Sequence, residues 1–346
     1  MLTPAARLGA AICLVAAGAC AATLARPARY EVEGLSMAPG LMPGDIVSSA
    51  WFPAMAGGRH PRRHERWILT APDGTSAIKR VVGQPGERVS IRDGDLTVGG
   101  QVVVSPPTIL AETASAVPEP ATTEAGDPGV RRCGRAATPA IVLDDASFAP
   151  TERRLLLPVR DVGLAATIRW HGRSPGAERL RARVGASVIA WRPPSTGRFA
   201  VVAGRLDGHL VAVCWRCDGT VPTPAGSRSC LPPGMPSDWQ LAQPWPSHAP
   251  IGVEPEDGDT SAPWLAVWIE GDGTANGGCD PSCAEIEQFC VWRDVLHRPA
   301  ADGREEWRLG PHEFLVLGDY PSGSLDSRQW GPLHRSQLHT PVSAAR

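Results

Sequence analysis

Lysine is almost absent from this chain. Of its 34 lysine and arginine residues, Lys79 is the only lysine. Arginine keeps its proton in proteins because its pKa lies above about 12, whereas burial can drive a lysine to its neutral, basic form. A chain that uses arginine for nearly every positive charge therefore marks Lys79 as a position where arginine does not serve.

The chain also lacks a large net charge, and its composition disfavours long helices. The net charge is −2, and no basic stripe with interleaved aromatic residues is present, which excludes non-specific binding of nucleic acid. The chain contains 35 prolines and 37 glycines, which leave little room for long helices. Short strands joined by turns fit this composition, so we predict a mainly β fold.

An uncharged, alanine-rich run covers residues 8–25. Its length of about 18 residues is at the short end for crossing a bilayer. We favour a single membrane anchor in contact with lipid, preceded by a short cytoplasmic tail at residues 1–7. A cleaved secretory signal and a lipoprotein signal ending at Cys20 are the alternatives. All three place the rest of the chain outside the cytoplasm.

Seven cysteines follow the apolar run, and they leave three chemistries open. Disulfides are the commoner outcome outside the cytoplasm, and Cys214 and Cys217 also have the spacing that begins a zinc site. Because seven is odd, at least one thiol is unpaired or pairs between chains. The seven residues are Cys133, Cys214, Cys217, Cys230, Cys279, Cys283 and Cys290.

The distribution of predicted strands divides the chain into an interrupted domain and an insertion. Residues 30–104 and 306–338 form the interrupted part, and residues 105–305 form a β-rich insertion that we predict to be sandwich-like. The Pro/Ala/Thr-rich stretch that opens the insertion predicts a linker or loop. The insertion's tryptophans fit a core better than a carbohydrate-binding face, and they are Trp170, Trp191, Trp264 and Trp268.

Two segments carry residues suited to nucleophilic catalysis. Ser36 lies in a Gly/Pro-rich turn, which can expose the hydroxyl and leave backbone N–H groups free to face an oxyanion. Lys79 lies at the end of an apolar strand, before the turn at residues 83–87. A neutral lysine can take the serine proton, so the pair predicts a Ser-Lys dyad.

A third segment completes a resemblance to a known family. Residues 36–45, 79–87 and 318–331 match, in this order, the patterns SMxPxLxxGD, KRVxGxPGE and GDNxxxSxDSRxWG. The chain thus resembles bacterial type I signal peptidases, the serine–lysine leader peptidase family S26, in a variant with a long insertion. The three boxes together cover 33 residues.

The resemblance implies two catalytic residues and one in the substrate cleft. Ser36 would attack the scissile carbonyl, with its own backbone N–H as the oxyanion donor. Lys79 would act as general base and later activate the water that hydrolyses the acyl-enzyme, which requires a pKa lowered by burial. Met37 would lie beside the bound peptide. Neither a metal nor a cofactor is expected.

Four further residues would support this site. By resemblance, Ser324 would hydrogen-bond the lysine amine and orient it. Asp326 and Arg328 would form a buried pair, and Asp319 would help to hold the same loop.

The chain departs from the family's pattern at three positions. Gly40 stands where threonine is usual, and Tyr320 replaces the usual asparagine. Gly34 lacks the hydroxyl that some members contribute to the oxyanion hole, although many active members also have glycine there. We expect the change at Tyr320 to loosen the loop around Ser324.

The function implied by the resemblance is the removal of signal peptides from secreted precursors, after small residues of the Ala-X-Ala type. The enzyme would be a single-pass protein of the cytoplasmic membrane with its catalytic domain outside. Two alternatives remain at this point. One is a catalytically weakened relative whose insertion binds a component of the cell envelope, and the other is a processing protease for one substrate.

Overall fold

The computed structural model describes residues 28–49, 59–117, 160–171, 179–185, 187–191, 196–217, 231–232, 234–244, 265–270 and 284–344, and four short strands between 123 and 158. The expected tail at 1–7 and the apolar run at 8–25 lie outside these residues. Within the described part, no helix combines the length and apolar character needed to cross a membrane.

The sheet that carries the segments of Ser36 and Lys79 has seven antiparallel strands, numbered here along the chain. In spatial order they are β1 (Arg29–Glu31), β2 (Ile46–Ser49), β24 (Leu338–Ala344), β3 (Arg66–Thr70), β4 (Ser76–Gly83), β22 (Glu313–Leu317) and β23 (Leu333–His334). The sheet therefore continues past residue 338, the expected end of the catalytic part. Alternate residues of β4 and β22 enter apolar clusters on the two faces of the sheet, which is why this pattern forms strands.

A smaller sheet packs against the first one. Its four strands are β21 (Glu306–Arg308), β5 (Arg88–Arg92), β6 (Asp95–Val98) and β7 (Gln101–Val102). The turn between β5 and β6 places Asp93 and Gly94 at positive φ, as a tight two-residue hairpin turn requires. Val89 and Leu315 lie in one apolar cluster, which joins the two sheets.

The segment between β7 and β21 contains three further sheets. The six-stranded sheet has the order β18 (Leu241–Pro244), β17 (His209–Arg216), β16 (Gly197–Leu206), β13 (Val162–Trp170), β20 (Ala284–Arg293) and β8 (Ser115–Ala116). The five-stranded sheet has the order β15 (Ser187–Trp191), β14 (Arg179–Val184), β19 (Leu265–Glu270), β10 (Cys133–Ala137) and β9 (Thr123–Glu124), and β11 (Leu143–Asp144) pairs with β12 (Leu157–Pro158).

One apolar cluster receives side chains from both of the larger sheets in this segment. Leu164 and Val201 come from the six-stranded sheet, and Leu180 and Val267 come from the five-stranded one. Trp170 is buried in this cluster, as its interpretation as a core residue requires. The prediction of a mainly β fold is confirmed. The sandwich-like type of the insertion stays a prediction.

Short helices lie at the edges of these sheets. They are α1 (Pro107–Thr113), α2 (Ser327–Trp330) and two 3₁₀ turns at Pro321–Gly323 and Arg335–Gln337. α1 lies where a linker was predicted, and it begins with proline at its first turn, a position that tolerates the missing N–H. Leu110 of α1 is fully buried in a cluster with Trp292 of β20. The helix is thereby tied to the insertion.

The described cysteines show two of the three chemistries left open. Cys290 is disulfide-bonded, whereas Cys214 and Cys217 carry thiols. Burial and the neighbouring Cys217 raise the pKa of Cys214 to about 12. Among the described residues, the one group with metal-ligand geometry consists of carboxylates and includes no cysteine. Cys230, Cys279 and Cys283 lie outside the described residues.

Candidate active site

Ser36 lies in the closed loop that connects β1 to β2. The Val32 N–H donates to the Asp45 carbonyl at 2.9 Å, and the Gly44 N–H donates back to the Val32 carbonyl at 2.8 Å. Met37 is 1% exposed and packs with Val32 in an apolar cluster that anchors the loop. Ser36 itself is half-buried, so its position is fixed while one side stays accessible.

Lys79 lies on β4, opposite Trp67 of β3, and only 3% of its surface is exposed. Burial lowers the pKa of its amine to about 8, and Arg328 acts in the same direction. The carboxylates of Asp326 and Asp319 oppose this change by favouring the charged form. Near pH 8 the amine is therefore about half neutral, the form that can accept a proton.

The segment that follows β22 folds around one buried carboxylate. Asp326 is fully buried and accepts hydrogen bonds from the Gly318 N–H at 2.9 Å and the Arg328 Nε at 2.9 Å. Although burial opposes it, the bonds from Arg328 hold the pKa of Asp326 below its ordinary value. The Ser324 hydroxyl also donates to Asp326, at 2.8 Å. The resemblance had implied the lysine amine as the partner of Ser324.

The loop that carries Ser36 and this C-terminal segment touch directly. The Tyr320 N–H donates to the Ser36 carbonyl at 3.1 Å. A Cβ on Gly318 would lie 2.2 Å from the Ser324 hydroxyl and 2.5 Å from the Ser36 carbonyl oxygen, so the approach requires glycine. Together with the charges that act on Lys79, these contacts bring the three sequence boxes to one place.

A second ion-pair system lies beside the lysine. Arg80, the next residue on β4, donates from Nε and Nη2 to the two carboxylate oxygens of Asp319, at 2.7 and 2.5 Å. Its Nη2 also reaches Glu112 of α1 at 2.9 Å. The sequence-based assignment named Asp319 but missed its partner Arg80 and the second acceptor of Arg80, Glu112. Arg80 stands inside the lysine box and could have been found there, whereas the stretch around Glu112 contains no comparable signal.

A cavity of about 500 Å³ opens beside Ser36. It is lined by Gly34, Ser36 and Met37 of the loop, by Ile68 of β3 and by residues 76–78 of β4, among others. β22 pairs only with residues 80–83 of β4, and within the described chain no strand pairs with the outer edge of residues 76–79. The cavity therefore lies along an open strand edge that ends at the lysine.

Local packing accounts for two of the three departures from the family's pattern. A Cβ on Gly40 would lie 2.6 Å from the Glu112 carbonyl oxygen, so α1 occupies the space of a threonine side chain. The Tyr320 ring lies against Gly323, where an added Cβ would come within 2.5 Å of it. Gly34 has open space around it, with nothing within 4 Å of an added Cβ.

Comparison with known proteins agrees with this arrangement. Residues 5–142 match a protein family described as signal peptidase, peptidase S26. Over 77 residues the chain is 35% identical to signal peptidase I V of Bacillus subtilis (strain 168). The aligned segment covers 22% of this chain and 45% of that relative. The chain thus spans less than half the length of the curated relative it matches.

The fold and site therefore define a β-rich protein related to the S26 peptidases. The recognition of the chain as a relative of bacterial type I signal peptidases is confirmed.

Proposed function

We propose that this protein is a membrane-bound endopeptidase that removes signal peptides with a Ser36–Lys79 dyad. The observation that carries the proposal is a buried lysine with a pKa of about 8, on the strand that borders the cavity lined by Ser36. A lysine shifted this far toward neutrality is the property that a general base near neutral pH requires.

The proposed reaction begins when Lys79 takes the proton of the Ser36 hydroxyl. The Ser36 oxygen attacks the scissile carbonyl, and the Ser36 backbone N–H donates to the resulting oxyanion. Collapse of this intermediate breaks the peptide bond, and the leaving amine takes the proton from Lys79. Lys79 then deprotonates the water that hydrolyses the acyl-enzyme.

Substrate binding would use the open edge of β4. An extended peptide can add to such an edge through main-chain hydrogen bonds, and its alternate side chains then face the cavity. Met37 and Ile78 provide apolar walls there, which fits small apolar residues before the cleaved bond. Met37 is almost fully buried, so we assign it a wall of the cleft rather than a mobile contact.

The supporting residues act through the two ion pairs. Arg328 and Asp326 fix the loop that carries Ser324, and Arg80 fixes Asp319. In the proposal, substrate binding lets the Ser324 hydroxyl bond the lysine amine, since both already lie around Asp326.

Membrane attachment through residues 8–25 is part of the same proposal. The family match begins at residue 5 and so includes the apolar run. We also keep the division into a catalytic part, at 30–104 with 306–338, and an insertion at 105–305. The short connection between residue 25 and Ser36 would hold the nucleophile near the bilayer, where precursors emerge.

Cleavage of a precursor with an Ala-X-Ala site tests the proposal. The full chain in detergent should cut after the second alanine, as mass spectrometry of the product would show. Ser36→Ala and Lys79→Arg should each lower kcat/KM by about 10³-fold or more, because each removes one member of the dyad. Arginine cannot give up its proton, so the second change is as severe as the first.

Ser237→Ala and Arg92→Lys are matched controls at exposed positions, and both should cleave like the wild type. If the wild type leaves the precursor uncut, or if the two dyad variants cut it as fast as the wild type, the proposal is wrong. The insertion would then be the place to look for a binding function.

A further inference from the structure

We propose that Glu112, on helix α1 at the start of the insertion, is a positioning residue of the active site that holds the charges around Lys79 in place. The inference deepens the function proposed above and rests on it for its catalytic consequence. Three sets of contacts support it.

The first is the neutralisation of two opposed cations. Arg66 of β3 and Arg80 of β4 are register partners in the sheet, and both are buried, at 9% and 4% exposure. Like charges directly opposite each other on neighbouring strands destabilise a sheet. Glu112 places one carboxylate oxygen 3.0 Å from the Arg66 Nη2 and the other 2.9 Å from the Arg80 Nη2. One residue of α1 thus compensates both strands.

The second is the link from Glu112 to the lysine. The Arg80 Nη2 that meets Glu112 also donates to Asp319, at 2.5 Å. Asp319 is one of the two carboxylates whose charge acts on Lys79. With Glu112 in place, the Arg80 side chain has one geometry, and Asp319 therefore has a fixed position relative to the amine.

The third is a backbone contact with the nucleophile's loop. The Glu112 carbonyl lies against Gly40, where an added Cβ would approach to 2.6 Å. Gly40 and Ser36 belong to the same closed loop between β1 and β2. A single residue of α1 therefore touches that loop through its backbone and the lysine's strand through its side chain.

Helix α1 is anchored on its other side to the insertion. Leu110 is fully buried beside Trp292, and the Thr113 hydroxyl donates to Asp294 at 3.0 Å. The insertion is therefore not a detached module. It provides Glu112, which the catalytic framework needs. The Glu112 backbone lies against Gly40, the position at which the family usually has threonine.

The lone lysine makes a direct test possible. Labelling with ¹³Cε-lysine yields one side-chain signal, from Lys79, in the full chain. In Glu112→Gln, Arg66 loses its ion-pair partner and Arg80 keeps only Asp319. The positive charge near the lysine then increases, so the midpoint of the Lys79 titration should fall. Displacement of Asp319 should also lower kcat on the Ala-X-Ala precursor by about 10- to 100-fold.

Two further variants sharpen the result. Glu112→Asp keeps the charge but shortens the reach, so it should lower kcat while leaving the midpoint closer to that of the wild type. Glu112→Gln combined with Arg66→Gln removes one charge of each sign, and its midpoint should return toward the wild-type value. Glu285→Gln, at an exposed position on β20, is the control and should change neither.

The proposal is overturned if Glu112→Gln titrates and cleaves like the wild type. It is also overturned if this variant loses thermal stability alone, with the Lys79 midpoint unchanged. A wild type that fails to cleave would refute the proposed peptidase function, whereas the titration would still decide the role of Glu112.

Discussion

Two neighbouring cations on β4 have opposite tasks. Lys79 is buried and forms no ion pair with any residue that the structure describes, and its pKa falls to about 8. Arg80 is buried just as deeply, but Asp319 and Glu112 outweigh the effect of burial and raise its pKa above the ordinary arginine value. Burial thus allows the Lys79 amine to become neutral, whereas Asp319 and Glu112 keep the Arg80 guanidinium charged. The side-chain chemistry decides between these outcomes, and exchanging the two residue types would remove both properties.

The pH dependence of cleavage follows from the lysine. Only the neutral amine accepts a proton, so the single-turnover rate should rise with pH and reach half of its plateau near pH 8. Rapid-quench measurement between pH 6 and pH 10 would show this. A flat profile, or a midpoint near the ordinary lysine value of about 10.4, would exclude Lys79 as the base.

At the scale of elements, the site depends on the close approach of the loop before β2 to the segment after β22. Gly318 is the point of contact, since it lies between the Ser36 carbonyl and the Ser324 hydroxyl. The approach leaves no room for a side chain. The two segments are 282 residues apart in sequence, counted from Ser36 to Gly318, so packing alone sets their distance.

Gly318→Ala should therefore separate the two segments. We expect kcat/KM to fall by about 100-fold, because a displacement of about 1 Å at the reacting groups has effects of this size. Gly310→Ala is the control, since its Cβ would meet only the movable Glu313 carboxylate, at 3.1 Å. Equal losses in both variants would show that the contact at Gly318 has no special role.

At the scale of the whole molecule, a cluster of carboxylates joins the β5–β6 hairpin to the insertion, and all of them are buried except the half-buried Asp95. Oxygens of Asp95, Asp161 and Asp207 lie within 4.8 Å of one another, and Asp294 is nearby. Burial and the neighbouring carboxylates raise the pKa of Asp161 and Asp207 well above the ordinary value, and that of Asp294 to about 6. The junction therefore favours protonated acids.

A raised pKa in the folded state means that folding takes up protons. Stability should then fall as the pH rises from about 4 through 6, because the unfolded chain ionises first. Asp161→Asn removes this penalty, so it should raise the melting temperature at pH 8 by about 2 °C and change it less at pH 4.

Thermal unfolding followed by circular dichroism at both pH values would check the expectation. Asp238→Asn, at an exposed position, serves as the control. An Asp161→Asn variant that melts below the wild type at pH 8 would contradict it.

The sequence predicted the elements whose signals are local. Apolar runs predict strands at residues 66–69, 78–82, 88–91, 96–98 and 313–317. β3 through β6 lie within two residues of these bounds, and β22 matches the last run. The turn at residues 204–208, with glycine at both ends between two apolar runs, also predicts a hairpin, and β16 pairs with β17 there. The alternation of apolar residues and the chemistry of turns depend on a few neighbouring positions, so a single sequence is enough to predict these elements.

Contacts between segments far apart in the chain could not be predicted from the sequence. Helix α1 has seven residues in a Pro/Ala/Thr-rich stretch, and it exists because Leu110 is buried and Glu112 meets two arginines. Its contact with Gly40 joins positions 72 residues apart, counted from 40 to 112. Neither composition nor periodicity contains such a contact. For the same reason, the partner of the Ser324 hydroxyl became known only from the structure.

Strand β24 sets a limit on when the seven-stranded sheet can form. It lies between β2 and β3, yet it follows every other described strand in the chain. A growing polypeptide that ends at residue 337 contains Ser36 and Lys79 but lacks β24, so β2 and β3 cannot yet be joined in one sheet. Synthesis through residue 344 must come first, so an unfinished copy holds Ser36 and Lys79 without the sheet that joins their segments.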